Sequence, residues 1–74
     1  MEKVNKILCE VFRLKENDIK DEMSMDDIEV WDSLTHMNLI VSLEENLKIQ
    51  LDMDEIVAMK DIKTIKDIVS KKIN

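Results

Sequence analysis

An all-α fold, a small four-helix bundle with a short third helix and a long loop between helices 1 and 2, is predicted by three features of the sequence. First, the 74 residues include no Gly and no Pro. Their absence removes the usual punctuation of hairpins and excludes any Gly-rich phosphate loop. Second, only Trp31 and Phe12 are aromatic, so Leu, Ile, Val and six Met must supply the packing of a chain that is 45% hydrophobic. Third, these aliphatic residues recur at helical spacing rather than in alternation. The length predicts one domain, residues 1–74. A chain of that size buries only roughly 60% of the surface its unfolded form exposes, so a deep catalytic cleft is not expected.

Val4, Ile7, Leu8, Val11 and Phe12 follow the i, i+3, i+4, i+7, i+8 stripe of an amphipathic helix and predict helix 1 over residues 3–15. Cys9 lies beside that stripe and is assigned no chemistry. Residues 16–32 lose the periodicity and read as a long loop, in which Ile19 begins a short turn and Trp31 is the largest apolar anchor. A structureless connection of this length is uncommon unless functional. Its scattered apolar residues are expected to pin it over the bundle; the alternative is a merely solvated acidic loop.

Helix 2 should start at Asp32 or Ser33, both good caps, and run to about Lys48. It carries too many apolar residues for one stripe. At 100° per residue from Leu34, the residues Leu39, Ile40, Leu43 and Leu47 fall between about 140° and 240°, whereas Leu34, Met37 and Val41 fall between about 300° and 360°. Two apolar faces result, and a small bundle needs one. Residues 54–59 predict a short third helix capped by Asp52 or Asp54. Ile62, Ile65, Ile68, Val69 and Ile73 predict a last helix starting near Lys63 or Thr64.

The net charge of −6 is unevenly placed, because residues 16–32 hold eight carboxylates against Lys20 alone. Such a balance repels nucleic acid and anionic membrane and favours partners with basic surfaces. A single cysteine forms no internal disulfide, no run approaches the roughly 18 apolar residues of a membrane span, and no signal-peptide pattern opens the chain. These features predict a cytoplasmic monomer with no membrane insertion. The segment DMDEIVAMKDIK lacks the Gly and the final Glu of an EF-hand loop, so no metal site is expected.

The segment VWDSLTHMNLI places Ser33 in the first turn of helix 2, where unpaired backbone N–H groups and the positive end of the helix dipole favour an attached phosphodiester. A catalytic serine is not indicated. The chain has one histidine, His36, one turn along the same helix, and no Gly-x-Ser-x-Gly elbow. Asp-Ser-Leu alone is equally the signature of an ordinary helix cap.

Its context is more specific. An amphipathic first helix, a long acidic loop, Asp-Ser-Leu, then LIVSLEENLKIQL, a short third helix and an Ile-rich fourth helix together resemble the acyl carrier protein family over nearly the whole chain. The form WDSLTHMNLI looks like the stand-alone carriers of specialised acyl or aminoacyl pathways more than the housekeeping fatty-acid carrier. The resemblance implies a non-enzymatic carrier with 4′-phosphopantetheine, donated by coenzyme A, on Ser33, flanked by Asp32 and Leu34, its thiol holding cargo as a thioester. Implied partners are a phosphopantetheinyl transferase, an acyl- or aminoacyl-loading synthetase, and a downstream transferase or condensing enzyme of lipid or secondary-metabolite biosynthesis. It further implies that Leu39, Ile40, Leu43 and Leu47 are core, whereas Leu34, Met37 and Val41, with Glu44 and Glu45, meet partner enzymes.

Fatty-acid carriers usually have acidic residues two and five positions after the modified Ser, where this chain has Thr35 and Asn38, and a Gly before Asp-Ser-Leu, where it has Trp31. His36 is close enough along the helix to neighbour a phosphate on Ser33. Its angle of about 200°, however, points to the core stripe, which favours a packed histidine with one satisfied nitrogen. Cargo size depends on how Met37, Leu43, Met53, Met59 and Ile62 pack. A rival reading of different class is a small acidic helical adaptor without a prosthetic group, with Ser33 as a cap.

Overall fold

In the computed structural model, helix α1, Glu2–Phe12, buries the expected stripe of Val4, Ile7, Leu8 and Phe12. The structure describes residues 2–73, so the ends of the expected 1–74 domain lie outside the described residues. The helix stops three residues earlier than its apolar pattern predicts. Arg13 turns into the left-handed region at φ 57°, and the Leu14 N–H donates to the Cys9 carbonyl at 3.1 Å, a six-to-one closure that normally uses glycine. With no glycine to use, the chain places Arg13 there, and Leu14 folds back against the core.

Residues 16–32 are not structureless, and the solvated-loop reading is corrected. One 3-10 turn, Glu16–Asp18, precedes Ile19. Ser24 then forms an isolated antiparallel bridge with Asp61. The Met25 N–H donates to the Lys60 carbonyl at 3.1 Å, and the N–H groups of Ile62 and Lys63 return to the carbonyls of Met23 at 2.9 Å and Asp21 at 3.0 Å. Lys66 Nζ adds an ion pair to Asp21 at 2.8 Å. The loop is thus stitched to the start of the last helix by main-chain bonds that no periodicity encodes. Its apolar residues divide: Ile28 and Trp31 are buried, Ile19, Met23 and Met25 pack at the core edge, and Val30 is exposed.

Helix α2, Ser33–Leu47, packs chiefly on α1 and buries Leu39, Ile40 and Leu43; Leu47 is half-buried at the core edge. Lys48 closes it at φ 56°, with the Ile49 N–H on the Glu44 carbonyl at 3.3 Å. Helix α3, Met53–Ala58, starts one residue before the expected boundary. Asp52, not Asp54, is the cap, because its carboxylate accepts from the Glu55 N–H while Glu55 accepts from the Asp52 N–H, a reciprocal capping box. Helix α4, Ile62–Ile73, likewise starts earlier than expected: Asp61 Oδ1 accepts from the Thr64 N–H at 2.7 Å, which brings Ile62 into the helix. Ile62, Ile65 and Val69 complete the core with Met59 and Leu51, while Ile68 is partly buried and Ile73 exposed.

Candidate functional site at the head of α2

Asp32 caps α2, which leaves Ser33 free of that duty. The Asp32 backbone is extended (φ −110°, ψ −173°), and its Oδ1 accepts from the Thr35 N–H at 2.8 Å. That N–H, then the Thr35 hydroxyl, hold the Asp32 carboxyl below the usual aspartate range. Ser33 is therefore the first helical residue, with an exposed side chain one position past the cap. The Thr35 N–H is taken by Asp32 Oδ1 and the His36 N–H by the Asp32 carbonyl, so it is the positive end of the helix dipole with the Ser33 and Leu34 N–H groups that suits the setting to a phosphodiester. By this geometry the residues present fit a phosphate-linked group at Ser33.

The approach to Ser33 is tied down by contacts of Trp31 and His36. The Trp31 ring packs on Phe12 with centroids 4.5 Å apart, and the Trp31 N–H donates to the Ile28 carbonyl at 3.0 Å. Trp31 Nε1–H donates to His36 Nδ1 at 3.0 Å, and His36 Nε2 stands 2.9 Å from the Ile56 carbonyl oxygen. Because an indole N–H only donates and a carbonyl only accepts, this pairing places a proton on His36 Nε2 and leaves Nδ1 as acceptor. The phosphate-neighbour role for His36 is thereby corrected. Both ring nitrogens, not one, are occupied, and they face Trp31 and α3. For the same reason the basic nitrogen has no free lone pair with which to activate the Ser33 hydroxyl.

The two faces of α2 separate as the angles predict. Leu39, Ile40 and Leu43 are at most 2% exposed, while Leu34, Met37 and Val41 are 72%, 49% and 47% exposed. Glu45 is exposed, but Glu44 is half-buried and its Oε2 accepts from the Leu51 N–H at 3.0 Å. Glu44 therefore also fastens the loop after α2. Met53 and Val57 on α3 also form exposed apolar surface. The isolated apolar residues of DMDEIVAM, too few for a stripe, are the signal that marks it. The five residues expected to set cargo size do not gather: Leu43, Met59 and Ile62 are fully buried, whereas Met37 and Met53 face outward.

The family model for the phosphopantetheine attachment site matches residues 2–70. The fold agrees with the holo acyl carrier protein of Geobacter metallireducens, solved by solution NMR, at a TM-score of 0.84 and 39% identity, over 96% of this chain and 82% of that one. This chain belongs to the acyl carrier protein family. No curated protein matches it. Family membership decides between carrier and adaptor: an acyl carrier protein bears a phosphopantetheine group and is served by a phosphopantetheinyl transferase and acyl-processing enzymes, without being an enzyme itself. Among the described residues no helix is long and apolar enough to cross a membrane, and no cluster of three or more metal-ligating side chains forms.

Proposed function

We propose that Ser33 is the phosphopantetheine attachment residue and that this carrier serves a specialised acyl or aminoacyl pathway. The observation that carries the reading is the division of labour at the helix start. Asp32 does the capping, so the Ser33 hydroxyl is exposed beside the positive end of α2. When bound, the group supplies a thiol that holds the cargo as a thioester. The protein's part is to anchor and present it: Trp31 and His36 fix the approach to α2, and Leu34, Met37, Val41 and Glu45 form the face met by the transferase, by the acyl- or aminoacyl-loading synthetase, and by the downstream transferase or condensing enzyme. Neutral Thr35 and Asn38, where fatty-acid carriers are acidic, support a partner set other than the fatty-acid synthase. The acidic surface and the unpaired Cys9 support a cytoplasmic place of work.

Incubation with coenzyme A and a broad-specificity phosphopantetheinyl transferase, followed by peptide mapping, tests the site. The peptide containing Ser33 is expected to gain the group and Ser33→Ala to gain none. Modification of Ser24, Ser42 or Ser70 with Ser33 untouched would overturn the assignment.

A further inference from the structure

Two polar ties run from α2 to the segment that carries α3, and both lie on the side of α2 that bears Ser33. His36 Nε2 stands 2.9 Å from the Ile56 carbonyl oxygen, and Glu44 Oε2 accepts from the Leu51 N–H at 3.0 Å. At about 100° per residue, His36 projects about 60° from Ser33 and Glu44 about 20° from it, so α3 is fastened beside Ser33. Ser33 falls between His36 and the exposed Met37, which is about 40° away on the other side. From position 36 to position 44 the ties span roughly 12 Å of helix at about 1.5 Å per residue.

A helix of six residues is marginal on its own, so α3 stands where its ties hold it. Its half-buried residues are Glu55, paired with Lys72 of α4 at 2.9 Å, and Ile56, whose carbonyl meets His36; Met53, Asp54 and Val57 are exposed. Met53 and Val57, at i and i+4, share one face of the helix. Asp54 beside them, and Asp32 and Glu45 on the α2 side, are exposed carboxylates, to which a basic partner surface is the complement. An enzyme that acts on the thiol works at the end of a long arm, whereas the enzyme that attaches the arm must bring its own active site to the Ser33 hydroxyl. In that step the Ser33 oxygen bonds to the β-phosphorus of coenzyme A, the pyrophosphate bond breaks, and adenosine 3′,5′-bisphosphate leaves. The hydroxyl proton goes to a base of the transferase. Surface close to Ser33 therefore matters most to that enzyme.

We propose that His36 is a positioning residue for attachment. By holding α3 beside Ser33, it makes Met53 and Val57 part of the surface that a basic phosphopantetheinyl transferase grips together with Leu34, Met37 and Val41. Trp31 sets the imidazole for this, since its indole N–H takes Nδ1 and leaves Nε2–H aimed at α3. The inference rests on Ser33 being the attachment residue.

The test follows the initial rate of attachment by intact mass, with coenzyme A saturating and the concentration of apo protein varied against a broad-specificity phosphopantetheinyl transferase. Met53→Ser and Val57→Ser replace exposed side chains, so the melting temperature should hold while KM for the carrier rises about fivefold at unchanged kcat, the pattern of lost docking rather than lost chemistry. His36→Leu should raise KM in the same way with Ser33 and the α2 face intact. His36→Gln, whose amide oxygen accepts and whose amide nitrogen donates, should bring KM back towards that of the unchanged protein. A normal KM in Met53→Ser and Val57→Ser would remove α3 from the docking surface. A normal KM in His36→Leu, or a raised one that His36→Gln does not lower, would overturn the positioning role. These outcomes leave attachment at Ser33 standing, whereas peptide mapping that finds Ser33 unmodified in the unchanged protein would overturn that assignment.

Discussion

Trp31 and His36, five residues apart, form a relay that ties three parts of the chain together: the indole N–H donates to His36 Nδ1 at 3.0 Å, and His36 Nε2–H donates to the Ile56 carbonyl at 2.9 Å. The two rings are nearly parallel, with centroids 6.0 Å apart, and Trp31 also lies on Phe12 of α1. Loop, α2 and α3 are thereby linked within one turn of Ser33. Helix α3 has only six residues and buries none of them completely, so its position depends on such ties.

His36→Leu is expected to remove both bonds, leaving the Trp31 N–H and the Ile56 carbonyl unpaired, at a cost of about 1–3 kcal/mol. The loss should be local first. Hydrogen exchange of amides in Met53–Ala58 should accelerate more than that of α1. Equal acceleration throughout would show that the relay holds the whole bundle rather than α3.

The two faces of α2 should respond oppositely. Leu43 is completely buried, and Leu43→Ala should cost about 2–5 kcal/mol by opening a cavity, clear in a thermal or denaturant melt. Met37→Ala and Val41→Ala, about half exposed, should leave stability within about 0.5 kcal/mol yet slow loading by the partner enzyme. Charge reversal at Glu45 should slow the same encounter, more so at low salt, whereas Glu44→Ala should loosen the Leu51 loop. A Met37→Ala protein that melts as early as Leu43→Ala while loading normally would show that the second face is core.

Both left-handed helix ends are occupied by residues with side chains. Replacing Lys48, at φ 56°, with Gly should stabilise the protein by about 1 kcal/mol, because the Cβ penalty of that conformation disappears. In a domain this small such a gain raises Tm by about 4–8 °C. Ser33→Ala, by contrast, should melt almost like the unchanged protein, since Asp32 still caps α2. A Tm that falls in Lys48→Gly would show that the lysine side chain makes up for its backbone.

Acid should unfold the protein through its caps. Asp32 is held low by the Thr35 N–H, Asp61 by the Thr64 hydroxyl and N–H, and Glu55 by the Asp52 N–H with Lys72. Each binds its proton less readily folded than unfolded, so the stability they contribute is complete above the ordinary carboxylate range. It is lost as pH falls through the lowered folded-state values. Asp61→Asn keeps a good cap without a titrating group and should flatten the acid limb of a stability–pH curve. An unchanged slope would remove Asp61 from the acid response.

Cys9 should react slowly with thiol reagents at neutral pH, because burial first, then Glu16 and Glu10, push its thiol pKa up. A disulfide reagent should therefore find one fast thiol in the holo protein and none in the apo protein. Equal fast reaction in both would place Cys9 in a more open setting.

The sequence by itself determined the all-α architecture, the buried stripe of α1, the split of α2 into buried and exposed faces, and the place of Ser33 in a first helical turn. Helical periodicity and the spacing of caps are local properties, legible wherever apolar residues repeat every three or four positions. Only the tertiary structure decided that the 16–32 segment is an ordered strap, because its bonds run to Lys60, Ile62 and Lys63, about 35 to 42 residues away, through backbone groups that every residue possesses. It also chose Asp32 over Ser33 as the cap, a choice between two adjacent good candidates that depends on which carboxylate or hydroxyl the chain's approach aims at the Thr35 N–H. The angle that pointed His36 inward was local information. Its two partners were not, since one arrives from the loop and the other from α3, and their meeting at one imidazole exists only once the helices have packed.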